Sequence, residues 1–382
     1  MNELFGTYVV RRLTVLLMLV VVTGCVGRPP ESPETRALIP TEAVSINEES
    51  TAATEAVSKR VKDRVTILAL SGGGADGAYG VGVLNGWTKR GDRPKFDIVT
   101  GVSTGALMSV YAFLGPKYDA LLKELYTTQE ESDIYREKGP TGLLTDSLYD
   151  NTPLKEQIEK FITQEVIDKV AAEHAKGRRL YIATTNLDSS QLVVWDMGLL
   201  ASNGGEGRAD NLQLFQKVMR ASSAIPVLFP PVYIKPKRGV QLRQAHVDGG
   251  VKAPVLISDF LFKQPARKRE LYVIVNGSLA LQNSFQAVRP NIRNIATMAV
   301  GGLTSELTHQ VVYRGYVRAQ NSGTKFQLTA IPDDVVPLDN ALEFNKEHLK
   351  LLYDRGFKES QRRDFWWKSP PTIKKYDRVA AR

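Results

Sequence analysis

Gly101-Val102-Ser103-Thr104-Gly105 sets a serine between two glycines. An apolar strand pattern, Phe96-Asp97-Ile98-Val99-Thr100, precedes it, and an apolar helical one, Ala106-Leu107-Met108, follows. A Gly-x-Ser-x-Gly at a strand-to-helix turn thrusts the hydroxyl off the backbone, in position to attack an ester carbonyl. The flanking glycines lack the Cβ atoms that would block so tight a turn. The start of the next helix favours negative charge developing there, through unpaired N–H groups and the helix dipole. Ser103 is therefore a candidate nucleophile; a strand-to-helix turn with a capping serine is the plainer reading of the same five letters.

A second glycine cluster, Gly72-Gly73-Gly74-Ala75-Asp76-Gly77, lies between the apolar run Val65–Leu70 and a helical stretch. It satisfies the dinucleotide fingerprint GxGxxG. Exposed N–H groups at a helix start stabilise any anion, so the loop suits a pyrophosphate or the oxyanion of a tetrahedral intermediate. A dinucleotide site wants an acidic residue closing the second strand. Here that strand runs into the Ser103 turn instead, with Asp92 and Asp97 before or within it. A glycine turn that merely packs helix on sheet remains the structural alternative.

A serine hydroxyl needs a base. The four histidines are His174, His246, His309 and His348, none at an obvious strand-end turn of the hydrolase kind. Asp248 follows Ala245-His246-Val247 and precedes Gly249-Gly250, at an expected strand end, where partial desolvation would raise its basicity. His246 is two residues away, on the same strand face by alternation, and stays a rival. The histidines are scattered and there is no cysteine pair, so no metal constellation is visible and no cofactor is expected.

These residues need a scaffold. Two successive strand–loop–helix units over Val65–Gly91 and Phe96–Met108 call for a parallel sheet covered by helices. Further strands are expected at Leu180–Thr185, Gln191–Trp195 and Leu271–Val275. Helices are expected from a Thr152 cap with Pro153 in the first turn, over Leu212–Arg220, and over Leu342–Arg355. Residues 65–360 read as one α/β domain and 361–382 as a tail. In that tail Phe365-Trp366-Trp367-Lys368, after Arg362 and Arg363, suits either a lipid interface or the back of the core.

The N-terminus is of another kind. Arg11-Arg12, a short apolar run to Val22 and then Thr23-Gly24-Cys25 describe an export signal over residues 1–24. Val22-Thr23-Gly24-Cys25 resembles a bacterial lipobox, which implies lipid attachment at Cys25, the single cysteine of the 382 residues. Val26, where an aspartate would signal inner-membrane retention, points to the outer membrane of a bacterial cell envelope. Residues 25–63, with Pro29, Pro30, Pro33 and Pro40, read as a flexible tether. A formal net charge of +9 suits anionic partners. For an exported chain that partner is a membrane rather than nucleic acid.

In combination and in this order, Gly72–Gly77, Gly101–Gly105 and Asp248-Gly249-Gly250 resemble the three motifs of the patatin-like phospholipases. Ala221-Ser222-Ser223-Ala224-Ile225-Pro226 resembles a further block of that family, so the likeness covers about residues 65–260. The resemblance implies a three-layer α/β/α fold with a mainly parallel central sheet, and a histidine-free Ser–Asp dyad. It makes Ser103 the nucleophile and Asp248 the proton acceptor. It assigns the oxyanion hole to the N–H groups of Gly72, Gly73 and Gly74, with Gly77, Gly101, Gly105, Gly249 and Gly250 shaping the motifs. The implied activity is hydrolysis of lipid acyl esters, with phospholipid as substrate. Asp76 departs from the family pattern, which has Arg or Lys there. It supports a rival reading, a non-catalytic envelope lipoprotein that binds lipid or protein through the same cleft. An acyltransferase would use the same residues as the hydrolase.

Overall fold

The computed structural model describes residues 43–44, 62–202, 208–235, 243–279, 290–335 and 342–371. The expected export signal, Cys25 and most of the expected tether lie outside the described residues. The main sheet comprises β1 (Ala43–Val44), β2 (Lys62–Leu70), β3 (Ile98–Gly101), β4 (Arg179–Asn186), β5 (Gln191–Asp196), β6 (Val232–Ile234), β7 (Gln244–Asp248), β8 (Ala266–Ser278) and β9 (Lys325–Ile331). The longer helices are α1 (Gly77–Arg90), α2 (Thr104–Leu114), α3 (Asp119–Thr127), α4 (Thr152–Phe161), α5 (Gln164–Ala175), α6 (Met197–Ser202), α7 (Arg208–Ser222), α8 (Ile292–Asn321) and α9 (Lys346–Ser360).

Strands β4, β3, β2, β8 and β9 lie side by side, each parallel to its neighbour. Their near-continuous apolar sequence follows from burial on both faces. Alternation along β2 makes this concrete. Leu68 and Leu70 enter one core with Val81, Leu84, Met108 and Leu352 of the helices. Val65, Ile67 and Ala69 enter the other, with Val273, Leu328 and Val312. Helices therefore cover both faces, and the expected three-layer α/β/α fold with a mainly parallel sheet is the one observed.

β5 and β7 pair antiparallel with β4, β6 with β7, and β1 with β5. Ala43 and Val44, placed by sequence in the tether, are thus held on the sheet edge opposite Trp195 and Val194. Helix α4 begins at Thr152 itself, one residue earlier than its assignment as a cap implies. Asp150 does the capping, its Oδ1 accepting from the Thr152 N–H at 3.0 Å and hydroxyl at 2.7 Å. Helix α9 begins at Lys346 rather than Leu342, because Asn345 Oδ1 accepts from the N–H groups of Glu347 and His348. The tryptophan segment closes the core. Trp366 packs on Trp87 and Tyr272 at centroid distances of 4.8 and 5.2 Å. Trp367 exchanges main-chain hydrogen bonds with Leu328. A buried Trp366 has no face to offer a lipid interface.

Candidate active site

β3 ends at Gly101 and the chain turns through Ser103 at φ 54°, ψ −128°. For a residue with a side chain this conformation costs about 1–3 kcal/mol, and it persists only where the surroundings enforce it. Three features do so. The Ser103 N–H donates to Ser222 Oγ at 3.0 Å, and Ser222 Oγ donates in turn to the Ala183 carbonyl at 2.7 Å. The Ser103 carbonyl accepts from Ala106 and Leu107 as the first turn of α2. At Gly105 a Cβ would strike the carbonyls of Ser71 and Leu70, so only glycine lets α2 start this close to β2. Ser222 belongs to the Ala221–Pro226 block, and its part in holding the serine turn was invisible in sequence because 119 residues separate the partners.

The sheet brings Asp248 to the same place. β3 occupies one edge of β4 as far as Ile182, which faces Gly101, while β5 holds the other edge. β7 then takes over the edge that β3 has left, with Asp248 facing Thr184. Two residues along a strand are about 6.6 Å. Ser103 lies two residues beyond Gly101, so the serine turn and the end of β7 converge. The Ser103 side chain is close enough to the Asp248 carboxyl to pull its pKa down. Asp248 Oδ1 also accepts from the Gly250 N–H at 2.7 Å. Burial pushes this carboxyl up to about 7, against the downward pull of Ser103 and the Gly250 N–H.

The glycine loop runs from the end of β2 into α1. Gly73 has φ 149° and Gly74 φ 56°, and a Cβ on Gly73 would overlap the Asn276 carbonyl. Asn276 fixes the loop: its N–H donates to Ser71 Oγ at 2.7 Å and its Nδ2 to the Ser71 carbonyl at 2.8 Å. Nothing in the sequence marked Asn276 except its place at the end of a buried strand. The loop offers fewer free donors than the three expected of it. The Gly72 N–H donates to the Pro254 carbonyl at 2.9 Å and so is committed to holding the loop. Among the described residues no main-chain acceptor takes the N–H of Gly73 or Gly74, which leaves these two donors able to meet an anion.

His246 is fully buried, with Nδ1 3.0 Å from Thr184 Oγ1 and its ring against Trp195. Burial lowers its pKa to about 4, so it is neutral. Its bond to Thr184 separates its role from that of Asp248. His174 lies beside Asp196, and His309 and His348 sit on α8 and α9. Asp76 is half-buried at the start of α1 without a capping bond, and burial raises its carboxyl to about 7. No group of three His, Cys, Asp or Glu side chains suited to a metal ion occurs among the described residues.

An apolar cavity of about 120 Å³ has Gly74, Ser103 and Thr104 in its wall. Leu107, Tyr111, Ile158, Phe161, Met219 and Phe344 supply much of the rest, from α2, α4, α7 and the segment before α9. A strained serine, a buried carboxyl and a pair of N–H donors therefore meet beside space for a hydrocarbon chain.

A family model described as patatin-like phospholipase matches residues 68–261, just over half of the chain. The chain belongs to the patatin-like phospholipase family. The matched segment holds the patatin-like glycine loop, the serine turn and the Asp248 turn. The cGAMP-activated phospholipase of Escherichia coli (strain TW11681) is 28% identical over 213 residues, 52% of this chain and 55% of that protein. The chain thus spans about half the length of that curated relative. The crystal structure of VipD from Legionella pneumophila aligns over 77% of this chain and 67% of its own, at 13% identity and a TM-score of 0.34, too loose a likeness to bear on the site.

Proposed function

We propose that this protein hydrolyses acyl esters of lipids, phospholipids among them, through a Ser103–Asp248 dyad. The observation that carries the reading is the strained Ser103 set beside a buried Asp248 at an apolar cavity. Family membership and the likeness to a phospholipase of E. coli support a lipid ester as substrate.

The acyl chain lies in the cavity and the ester carbonyl meets Ser103 Oγ. Asp248 takes the hydroxyl proton as Oγ bonds to the carbonyl carbon. The oxyanion receives the N–H groups of Gly73 and Gly74, at the positive end of α1. Collapse breaks the ester C–O bond, and the proton on Asp248 passes to the departing alcohol oxygen. Water then loses a proton to Asp248 and attacks the acyl-serine; the fatty acid leaves and Ser103 regains its proton. Asp76, with its pKa raised to about 7, is partly neutral at that pH, which limits its opposition to the oxyanion.

The lipobox-like Val22–Cys25 supports a lipid anchor at Cys25 in the bacterial outer membrane, with residues 25–63 as tether and residues 65–360 as the catalytic domain. The test of the activity uses the full chain on phospholipid vesicles and on water-soluble esters. Ser103→Ala is expected to lower both rates at least about a thousandfold. Equal rates in the two proteins would overturn the assignment.

A further inference from the structure

Helix α8 is 30 residues long, yet only its second half is built into the domain. Thr308, Val311, Val312 and Ala319 are buried, the last three in the core beneath β8 and β9. From Ile292 to Leu307 no described side chain is buried. This free half is apolar: Ile292 is 58% exposed, Ile295 51%, Met298 39% and Leu303 73%. At about 100° per residue these four, with Ala299 and Gly302, fall within an arc of about 140°. The stripe is about 17 Å long at a rise of about 1.5 Å per residue. Asn294, Thr297 and Thr304 lie off it. Between Ile292 and Ser305 the sequence has no acidic residue, and Arg293 is its single charge.

The helix that carries the stripe also reaches the active site, through its opposite face. Thr304, one residue past Leu303, comes within 4.0 Å of where a Cβ of Gly250 would stand, and the Gly250 N–H is the group that binds Asp248. Val251, next along, is exposed as well. An exposed apolar helix face of this kind marks a surface that meets another apolar phase. No helix among the described residues is long and apolar enough to cross a membrane. A short apolar face without acids, on a basic protein, instead suits a helix lying in the surface of an anionic bilayer.

We propose that the N-terminal half of α8 is an interfacial helix that lies in the lipid surface and holds the Ser103–Asp248 site against it. This rests on the lipid hydrolase reading and adds how the site reaches a substrate packed in a membrane. The occupant is a lipid surface because the stripe is apolar and free of acids on a basic protein, and the helix that bears it reaches the Gly250 turn through Thr304. An acyl anchor would mask the contribution of α8 by raising the local concentration of bilayer, so the test uses the full chain carrying Cys25→Ser. Into it are placed Ile295→Asp with Leu303→Asp, two exposed positions away from the catalytic groups, or Leu303→Trp alone.

With vesicles of phosphatidylethanolamine and phosphatidylglycerol, the double aspartate variant should lose about tenfold or more in vesicle binding and in vesicle turnover. Its rate on a water-soluble ester should stay within about twofold of the parent, as exposed changes leave the fold intact. Fluorescence of Leu303→Trp should be quenched by lipids brominated along the acyl chain, relative to a second variant with Trp at the remote exposed Leu351. Unchanged vesicle binding, no preferential quenching, or a dimer in solution that the aspartates dissociate would each overturn the proposal. Binding and quenching need no turnover, so an inactive wild-type chain that still shows both would sink the hydrolase reading and leave the interfacial helix standing.

Discussion

As the proposed base for Ser103, Asp248 would work at a pH set by its burial. With the carboxyl pushed up to about 7, the folded site holds a proton that the unfolded chain, near 3.8, releases. Asp248 therefore contributes stability that is full below about 3.8 and is lost as pH rises through about 7. Below about 7 the protonated carboxyl cannot accept the Ser103 proton. On a soluble ester, kcat/KM is expected to rise about tenfold per pH unit towards 7 and level off above it. Asp248→Asn should remove turnover, while His246→Ala should keep most of it in whatever fraction folds, since His246 bonds Thr184. The opposite pattern would establish a histidine base. The serine, the aspartate and both glycine motifs were legible as residue types in a local pattern. The commitment of the Gly72 N–H to Pro254 was not, because its acceptor is 182 residues away in the chain and no local preference encodes it.

Among the elements, strands and glycine turns were the legible part. Apolar runs in β2, β3, β4 and β8 report burial on two faces, and glycines report where backbone approaches backbone. Helix starts were less legible. Leu342 and Phe344 line the cavity ahead of α9, so their apolar character extended the helical pattern upstream of its Asn345 cap. The serine turn depends on how α2 meets β2. In Gly105→Ala the new methyl has only the Ser71 and Leu70 carbonyls to displace. Denaturant unfolding should show a loss of about 1–3 kcal/mol. Turnover should fall in the fraction that stays folded, because α2 can yield only by shifting Ser103. An unchanged midpoint and rate would mean that the turn has more room than its geometry indicates.

For the whole molecule, the catalytic domain and the lipid setting are separable. Ala43 and Val44 pair at the sheet edge, within the stretch proposed as tether. Cys25→Ser is expected to abolish incorporation of labelled palmitate and to leave the soluble-ester rate per molecule unchanged. Labelling that persists would refute the anchor. The apolar cavity is likewise a property of the whole, assembled from α2, α4, α7 and the approach to α9, and no single segment announced it. The sequence by itself determined the strand–turn–helix units and the family. Tight turns and two-sided burial are local steric and solvation demands that each segment meets with its own residues. Only the tertiary structure decided that Asp248 faces Ser103, that Gly73 and Gly74 keep N–H groups for an anion, and that half of α8 stands uncovered beside them. Those outcomes depend on β7 entering antiparallel along the edge of β4 that β3 vacates, a pairing between distant segments that is settled by what the assembled sheet leaves open.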